Sequence, residues 1–155
     1  MKELKVDAIE NGTVIDHIPA GRAFKIIEIL KLADNIPVMV GTQLPSKKFG
    51  RKDIIKIENT EFTEDQLNII TLLAPSATYV TIRNFEAVKK SDARIPKIIK
   101  GLVTCPNTIC ITNHEQMQTK FGVESEEPVT VRCGYCERVF TIDDINKFMQ
   151  PIKEE

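Results

Sequence analysis

Polar and apolar residues alternate at the start of the chain, Leu4, Val6 and Ala8 against Lys5 and Asp7, the period of a half-buried strand. Asn11-Gly12 interrupts as a turn or bulge, and residues 13–18 resume the strand. Beyond Pro19, which suits a first helical turn, Arg22, Lys25, Glu28 and Lys31 recur every three residues with Phe24, Ile27 and Leu30 between them, predicting an amphipathic helix. Residues 36–41 and 53–57 read as two further strands. The segment joining them carries Pro45, Gly50, Lys47, Lys48, Arg51 and Lys52, and reads as a solvated basic loop. A second helix is signalled by Thr63 as cap with Gln66 three residues on, a capping box, and by Phe62 and Leu67 as a hydrophobic staple. It should stop near Ala74, before Pro75, and residues 79–88 give a last strand. The succession strand, helix, strand, strand, helix, strand predicts an α+β, ferredoxin-like fold, an antiparallel sheet with both helices on one face.

From Lys89 to Lys100 the pattern changes to a charged stretch broken by Pro96, with few large apolar residues until its end. A domain boundary belongs here, dividing the chain into 1–97 and 98–155. The second part is small enough that apolar burial alone rarely holds such a piece together. Its strands are expected at 102–104, 121–123, 129–133 and 138–142, followed by a short helix over 143–149 with Asp143 and Asp144 at its positive end.

What compensates for the small core is written in the cysteines. All four lie in this second part as two close pairs, Cys105-Pro-Asn-Thr-Ile-Cys110 and Cys133-Gly-Tyr-Cys136. Two short thiolate pairs, each foldable into a turn whose backbone amides face sulfur, can fill the tetrahedral shell of Zn²⁺. Two disulfides or four unrelated buried thiols are the alternatives, and structural zinc accounts for the paired spacing better. A metal with four protein ligands keeps no open position for water or substrate, so it holds structure and performs no chemistry. His114 could replace a sulfur, but four cysteines already complete the shell, which leaves it to the loop.

Charge divides the chain at the same place. Residues 101–155 hold five Lys/Arg against nine Asp/Glu, a net charge of −4, while the first hundred hold 16 against 13, a net charge of +3. A zinc–thiolate centre would add −2 to the acidic part, which counts against nucleic acid as its partner; the modestly basic part suits a small polyanion. The amino terminus lacks the apolar core of a signal peptide, and no run reaches membrane-spanning length. A cytosolic protein is expected, with no membrane partner, in a compartment that keeps thiols reduced.

Few other residues promise chemistry. There is no Gly-rich phosphate loop, no Ser/His/Asp set, and no spare cysteine once zinc has its ligands, so an enzyme is not expected. Asp16 and His17 are neighbours on a strand, and such side chains point to opposite faces, a poor arrangement for an acid/base dyad. They stand where a strand feeds a helix, and helix-start amides attract anions while a carboxylate can accept from an amine or a ribose hydroxyl. Lys89 and Lys90 are solvated cations or a phosphate contact. Tyr135, at the tip of a tight turn, either meets another protein or packs over its own zinc turn.

Three separated motifs then occur in order: Gly12-Thr-Val-Ile-Asp-His-Ile-Pro19, Gly50-Arg-Lys-Asp-Ile-Ile-Lys-Ile-Glu-Asn-Thr60 and the four-cysteine pattern. Together they make the chain resemble the regulatory chain of aspartate carbamoyltransferase, from about Val6 to the carboxy-terminal helix. The resemblance implies a non-catalytic subunit of pyrimidine biosynthesis whose first domain binds nucleoside triphosphates, CTP and UTP inhibiting and ATP activating. It also implies a zinc domain that docks on a separate catalytic chain, and pairing of the regulatory chain with itself. Residue by residue, it implies that Ala8, Ile9 and Val14 line the base and ribose pocket, that Asp16 and His17 contact polar groups of the nucleotide, and that Lys56 contacts base and ribose. Ile82 and Phe85 continue the base pocket, and Lys90 meets the triphosphate. Phe85 stands where the family has a tyrosine and Ala87 where it has a valine, so the pocket is altered. Asn107, Tyr135 and Glu137 match positions at the contact with the catalytic chain, where Ile109 replaces a polar residue. The reading that competes with this one is a zinc ribbon binding nucleic acid; a small metalloenzyme would need an open coordination position.

Overall fold

The computed structural model describes residues 8–30, 32, 35–47, 50–92 and 94–146. The chain divides into two compact units, Met1–Arg94 and Ile95–Glu155.

The first unit contains β1 (Gly12–Pro19), α1 (Ala23–Leu30), β2 (Val38–Ser46), β3 (Gly50–Glu58), α2 (Glu64–Leu73), β4 (Thr78–Arg83) and β5 (Glu86–Ser91). The strands lie in the order β2-β3-β1-β4-β5 with every neighbouring pair antiparallel. The first four reproduce the expected ferredoxin-like order and β5 extends it. Ile15, Ile55, Ile57 and Tyr79 project from one face into a core that also buries Ile26 and Ile29 of α1 and Ile70 and Leu73 of α2. Two polar side chains fix both helices to that face. The Tyr79 hydroxyl lies 2.8 Å from Thr71 Oγ1 and donates to the Leu67 carbonyl at 3.2 Å, both on α2. The fully buried Asp53 carboxylate accepts from the amides of Gly21 at 2.9 Å and Ala23 at 3.1 Å, at the start of α1, and from Gln43 at 3.0 Å on β2. α1 has no acidic residue in its own first turn, so a carboxylate from β3 caps its orphan amides.

α2 begins at the expected capping box: Thr63 Oγ1 accepts from the Gln66 amide and Gln66 Oε1 from the Thr63 amide. At its other end Arg22 donates to the Leu73 carbonyl at 2.9 Å, satisfying one of the last carbonyls of the helix.

Three expectations are corrected. The last strand is a hairpin, because Asn84 and Phe85 both adopt left-handed backbone (φ 52° and 65°), the requirement of a two-residue turn that suits the twist of its strands. The basic segment between β2 and β3 is mostly strand: Leu44, Pro45 and Ser46 pair with Lys52, Arg51 and Gly50, beyond a bulge in which Gln43 is left-handed. Pro45 is tolerated because β2 is an edge strand. In the second unit the first strand is β6 (Ile98–Lys100), four residues early, with Gly101 ending it at φ 73°; Val103 makes only an isolated bridge. Ile99 pairs with Phe121, and both are buried. The strand expected over 4–8 lies outside the described residues except for Ala8, which is exposed and not in a strand.

A 3₁₀ helix (Ile111–Asn113), β7 (Lys120–Glu126), β8 (Val129–Cys133), β9 (Val139–Thr141) and α3 (Ile142–Asn146) follow in the second unit. Its sheet runs β6-β7-β8-β9, again antiparallel throughout. The remainder of the predicted last helix, 147–149, lies outside the described residues.

Candidate metal centre and effector face

The two cysteine pairs come from different local structures. Cys105 and Cys110 flank a turn closed by the Cys110 amide on the Asn107 carbonyl, and Cys133 and Cys136 flank the tight turn after β8. The four sulfurs lie within 4.8 Å of one another, with Cys105–Cys136 and Cys110–Cys133 each 3.8 Å apart. Zn–S bonds of about 2.3 Å in a tetrahedron require sulfurs about 3.8 Å apart, so the crosswise pairs already have the spacing zinc imposes. None is in a disulfide. Backbone amides face every sulfur, Asn107 toward Cys105, Thr112 toward Cys110, Tyr135 and Cys136 toward Cys133, and Arg138 toward Cys136.

The acidities test the fit. Burial pushes all four thiols up, and it prevails at Cys105 and Cys133. At Cys110 the Thr112 hydroxyl and amide outweigh it, and at Cys136 the Asn107 side chain and the Arg138 amide draw the thiol down to about 7. Four such neighbours cannot all ionise together without a cation among them, and a divalent metal supplies it. The residues suit a single structural zinc ion. His114 stands apart, exposed, its Nε2 3.0 Å from the Thr108 carbonyl.

Around this centre Asn107 is buried and tied into the turn, its Oδ1 accepting from Ile109 N at 3.3 Å and its carbonyl from Asn113 Nδ2 at 2.8 Å. Tyr135 is 46% exposed and Ile109 76% exposed. Glu137, exposed and left-handed at φ 64°, donates its amide to the Cys133 carbonyl.

The other candidate residues lie in the first unit. Strand register places Lys56, Val14, Val80 and Lys90 in one row across four strands. Gly12, Ile82 and Ala87 form the next row, and Asp16 lies opposite Thr78. Alternation puts these residues on the face away from the helices, since Thr13, Ile15, Ile57 and Tyr79 take the buried one. Val14, Asp16, Lys56, Ile82, Ala87 and Lys90 therefore share that face, left uncovered by the described helices. The hairpin tip is held against the segment before β1, the Phe85 amide donating to the Glu10 carbonyl at 2.9 Å and the Asn84 amide to Asn11 Oδ1 at 3.2 Å. That brings Phe85, 65% exposed, to the neighbourhood of Ala8 and Ile9; Ile9 itself is buried.

Asp16 and His17 depart from simple alternation. The register of β1 on β3 shifts between Ile15 and Ile18, and His17 is left-handed at φ 56°. This bulge turns the His17 ring so that Nδ1 lies 2.8 Å from Thr78 Oγ1, the residue opposite Asp16. Ser76 Oγ donates to the His17 carbonyl at 2.7 Å, and Asp16 Oδ1 accepts from the His17 amide at 2.6 Å. Lys52 Nζ reaches Asp16 at 2.9 Å. Burial pushes the Asp16 carboxyl up, but Lys52 and the His17 amide outweigh it and hold Asp16 below the ordinary carboxylate value. Lys52, Ser76 and Thr78 are the neighbours that reading the sequence missed, and no local signal marks partners 36 to 62 residues away from Asp16.

Residues 4–94 match the family model described as aspartate carbamoyltransferase regulatory chain, allosteric domain, and residues 97–146 the one described as its metal binding domain. The chain belongs to the aspartate carbamoyltransferase regulatory-chain family. A regulatory chain of that name from Pyrococcus abyssi is 50% identical over 94% of this chain and 97% of its own length. Those from Pyrococcus horikoshii (49%, over 94% and 97%) and Sulfolobus acidocaldarius (44%, over 97% and 92%) are similar along nearly their whole length too. The chain is thus a non-catalytic regulatory subunit of pyrimidine biosynthesis, with an allosteric domain followed by a metal-binding one. None of the described helices is long and apolar enough to cross a membrane.

Proposed function

We propose that this regulatory chain binds CTP, UTP and ATP on the uncovered face of its first sheet and passes their effect to the catalytic chain through the zinc unit. The observation that carries the reading is the shared face. Val14, Ile82 and Ala87 offer an apolar bed for a base, Asp16 an acceptor for an amine or ribose hydroxyl, and Lys56 and Lys90 cations for ribose and phosphate. Phe85 and Ala87, departing from the family's tyrosine and valine, reshape the base end and set the effector preference. Tyr135, Glu137 and Ile109, all exposed, form the surface that meets the catalytic chain, while the buried Asn107 holds the turn that carries Ile109, and regulatory chains pair with each other in the assembly. A triphosphate that binds one quaternary state more tightly shifts the equilibrium by its differential affinity, a coupling of about 1–3 kcal/mol.

Calorimetry on the zinc-loaded chain tests the first step. Each triphosphate should bind saturably, and no binding by any of them at millimolar concentration would overturn the reading. Lys90→Ala should weaken triphosphates several-fold, about 1 kcal/mol for one exposed point charge, and leave the nucleosides unchanged. Equal loss for nucleosides would remove Lys90 from the phosphate site. Activity of the cognate catalytic chain, assayed with each nucleotide after mixing, then gives the sign of each effect.

A further inference from the structure

Two bulges flank the same point of β3. On one side Ile15 pairs with Ile55 and Ile18 with Asp53, so three steps along β1 span two along β3, and the extra residue is taken up at Asp16-His17 with His17 left-handed. On the other side Gly41 pairs with Ile54 and Leu44 with Lys52, again three steps against two, with Gln43 left-handed at φ 55°. Neither His17 nor Gln43 is a glycine, and a side-chain-bearing residue keeps such a backbone only where its surroundings over-determine it. The fully buried Asp53 carboxylate does this from between the bulges, one oxygen to each side. Oδ2 accepts from the amides of Gly21 and Ala23, just beyond the end of β1, and Oδ1 accepts from the amide of Gln43 itself. With Ile15 in register on Ile55 and the chain after Pro19 held on Asp53, the extra residue is confined between them. Asp16 is thereby set against Lys52 and the His17 ring against Thr78.

We propose that Asp53 is a positioning residue for effector binding: from the helix side of the sheet it sets the bulge that presents Asp16 and His17, and it ties that bulge to the one on the edge strand β2. The proposal rests on the reading of the uncovered face as the nucleotide site, and adds to it a residue that meets no effector and a mechanical link from the site to the sheet edge. A carboxylate suits the task because both of its oxygens only accept. Asparagine has one accepting oxygen and one donating nitrogen, so it can serve the start of α1 or Gln43 but not both.

The test compares the zinc-loaded full chain with its Asp53→Asn variant by calorimetry and NMR, using CTP, UTP, ATP and their nucleosides. Asp53→Asn should bind nucleosides and triphosphates alike several-fold more weakly, because Asp16 and His17 serve the nucleoside part, whereas Lys90→Ala spares the nucleosides. The contact of the His17 ring with Thr78, read as a nuclear Overhauser effect, should be lost with it, which a mere loss of stability would not do. Ile70→Val, which loosens the same core from α2 and has no part in either bulge, should bind as the unaltered chain does. Unchanged affinity or a retained His17–Thr78 contact in Asp53→Asn, or equal weakening by Ile70→Val, would overturn the proposal. Where Asp53→Asn fails to fold, the unaltered chain decides: saturation with a triphosphate should shift the Gln43 amide together with those of Asp16 and His17, at one dissociation constant, and an unmoved Gln43 amide overturns the proposal. No binding by the unaltered chain removes the nucleotide site and this proposal with it, whereas binding that Asp53→Asn preserves removes Asp53 alone and leaves the site standing.

Discussion

The two units are both antiparallel sheets, yet they are held together differently. The first buries a run of isoleucines and leucines, Ile15, Ile18, Ile26, Ile55, Ile57, Ile70, Leu72 and Leu73 among them, between one sheet face and two helices. In the second, three of the buried core residues are the zinc-site thiols Cys105, Cys110 and Cys133, and among the described residues the larger apolar groups thin out to Ile99, Val103, Phe121, Val129, Val131, Ile142 and Ile145. A sheet covered by two helices excludes enough water to stand on apolar burial, whereas a sheet of short strands with, among the described residues, one short α-helix does not. The difference teaches where metal dependence should end along the chain.

The largest expected effect follows directly. Structural zinc contributes about 10–16 kcal/mol of apparent binding free energy in small peptide systems, more than the total stability of many domains. Chelation, or Cys133→Ser, should therefore unfold the second unit and release the catalytic chain while the first unit stays folded. Hydrogen exchange reads this residue by residue: amides of β7 and β8 should lose protection and those of β1 and β3 keep theirs. Protection lost equally in both units would erase the comparison, and protection retained in β7 and β8 would reverse it.

Asp53→Ala should do the converse. It strands three amide donors, Gly21, Ala23 and Gln43, that share one buried carboxylate, and each orphaned buried donor costs about 1–3 kcal/mol. A loss of about 3–5 kcal/mol in urea unfolding of the first unit is expected, with one zinc per chain retained. A loss below about 1 kcal/mol would mean that water replaces the carboxylate and that α1 needs no cap from β3.

Asp53 also marks the limit of what the sequence makes legible. The zinc ligands and the α2 cap are contained in short windows, Cys-x₄-Cys, Cys-x₂-Cys and Thr-x-x-Gln, so the chemistry and the local geometry coincide. The order of strands and helices followed from periodicity in the same way. Asp53 reads only as the polar start of a strand, because its partners come from 10 to 32 residues away and are backbone amides with no residue identity. The bulge at Asp16-His17 and the turn at Asn84-Phe85 were hidden for a related reason. Left-handed backbone is usually announced by glycine, and here His17, Asn84 and Phe85 adopt it instead. Gly12 is the contrary case: at φ 142°, a Cβ there would lie 2.0 Å from the Ile57 carbonyl oxygen, so only glycine fits.

Tyr79 probes the seam between sheet and helix in the first unit. Burial, partly opposed by its hydrogen bond with Thr71, raises its hydroxyl from 10.0 to about 12. A group whose folded pKa is raised contributes stability that is complete below the unfolded value and lost as pH rises through the folded one. The first unit should therefore lose about 2–3 kcal/mol between pH 10 and 12 through this residue. Lysines titrate in the same range, so the quantity to measure is the difference from Tyr79→Phe, which should lack that component. Tyr79→Phe should itself cost only about 1 kcal/mol near neutrality, because Thr71 still donates to the Leu67 carbonyl. Parallel alkaline profiles for the two proteins would show that the hydroxyl is solvated on ionising and that the seam is looser than its packing.

The smallest effect belongs to the uncovered face, where an ion pair takes the place of apolar contact. Lys52 and Asp16 are 2.9 Å apart with side chains 20% and 25% exposed, close enough to bond and wet enough to be screened. The Asp16 carboxyl is held below its ordinary value, so its contribution is present above that value, near 3.8, and is lost as pH falls through the depressed one. Lys52→Met should raise the Asp16 pKa, read from its carboxyl carbon in an NMR titration, because burial is then opposed by His17 alone. The stability lost at neutral pH should stay under about 1 kcal/mol, since a partly exposed pair gains little over its hydrated partners. A loss of several kcal/mol would make this pair a structural pin comparable to Asp53, and the first unit would then depend on charge as the second depends on zinc. An unmoved Asp16 pKa would show the pair to be too loose in solution to act on the carboxylate at all.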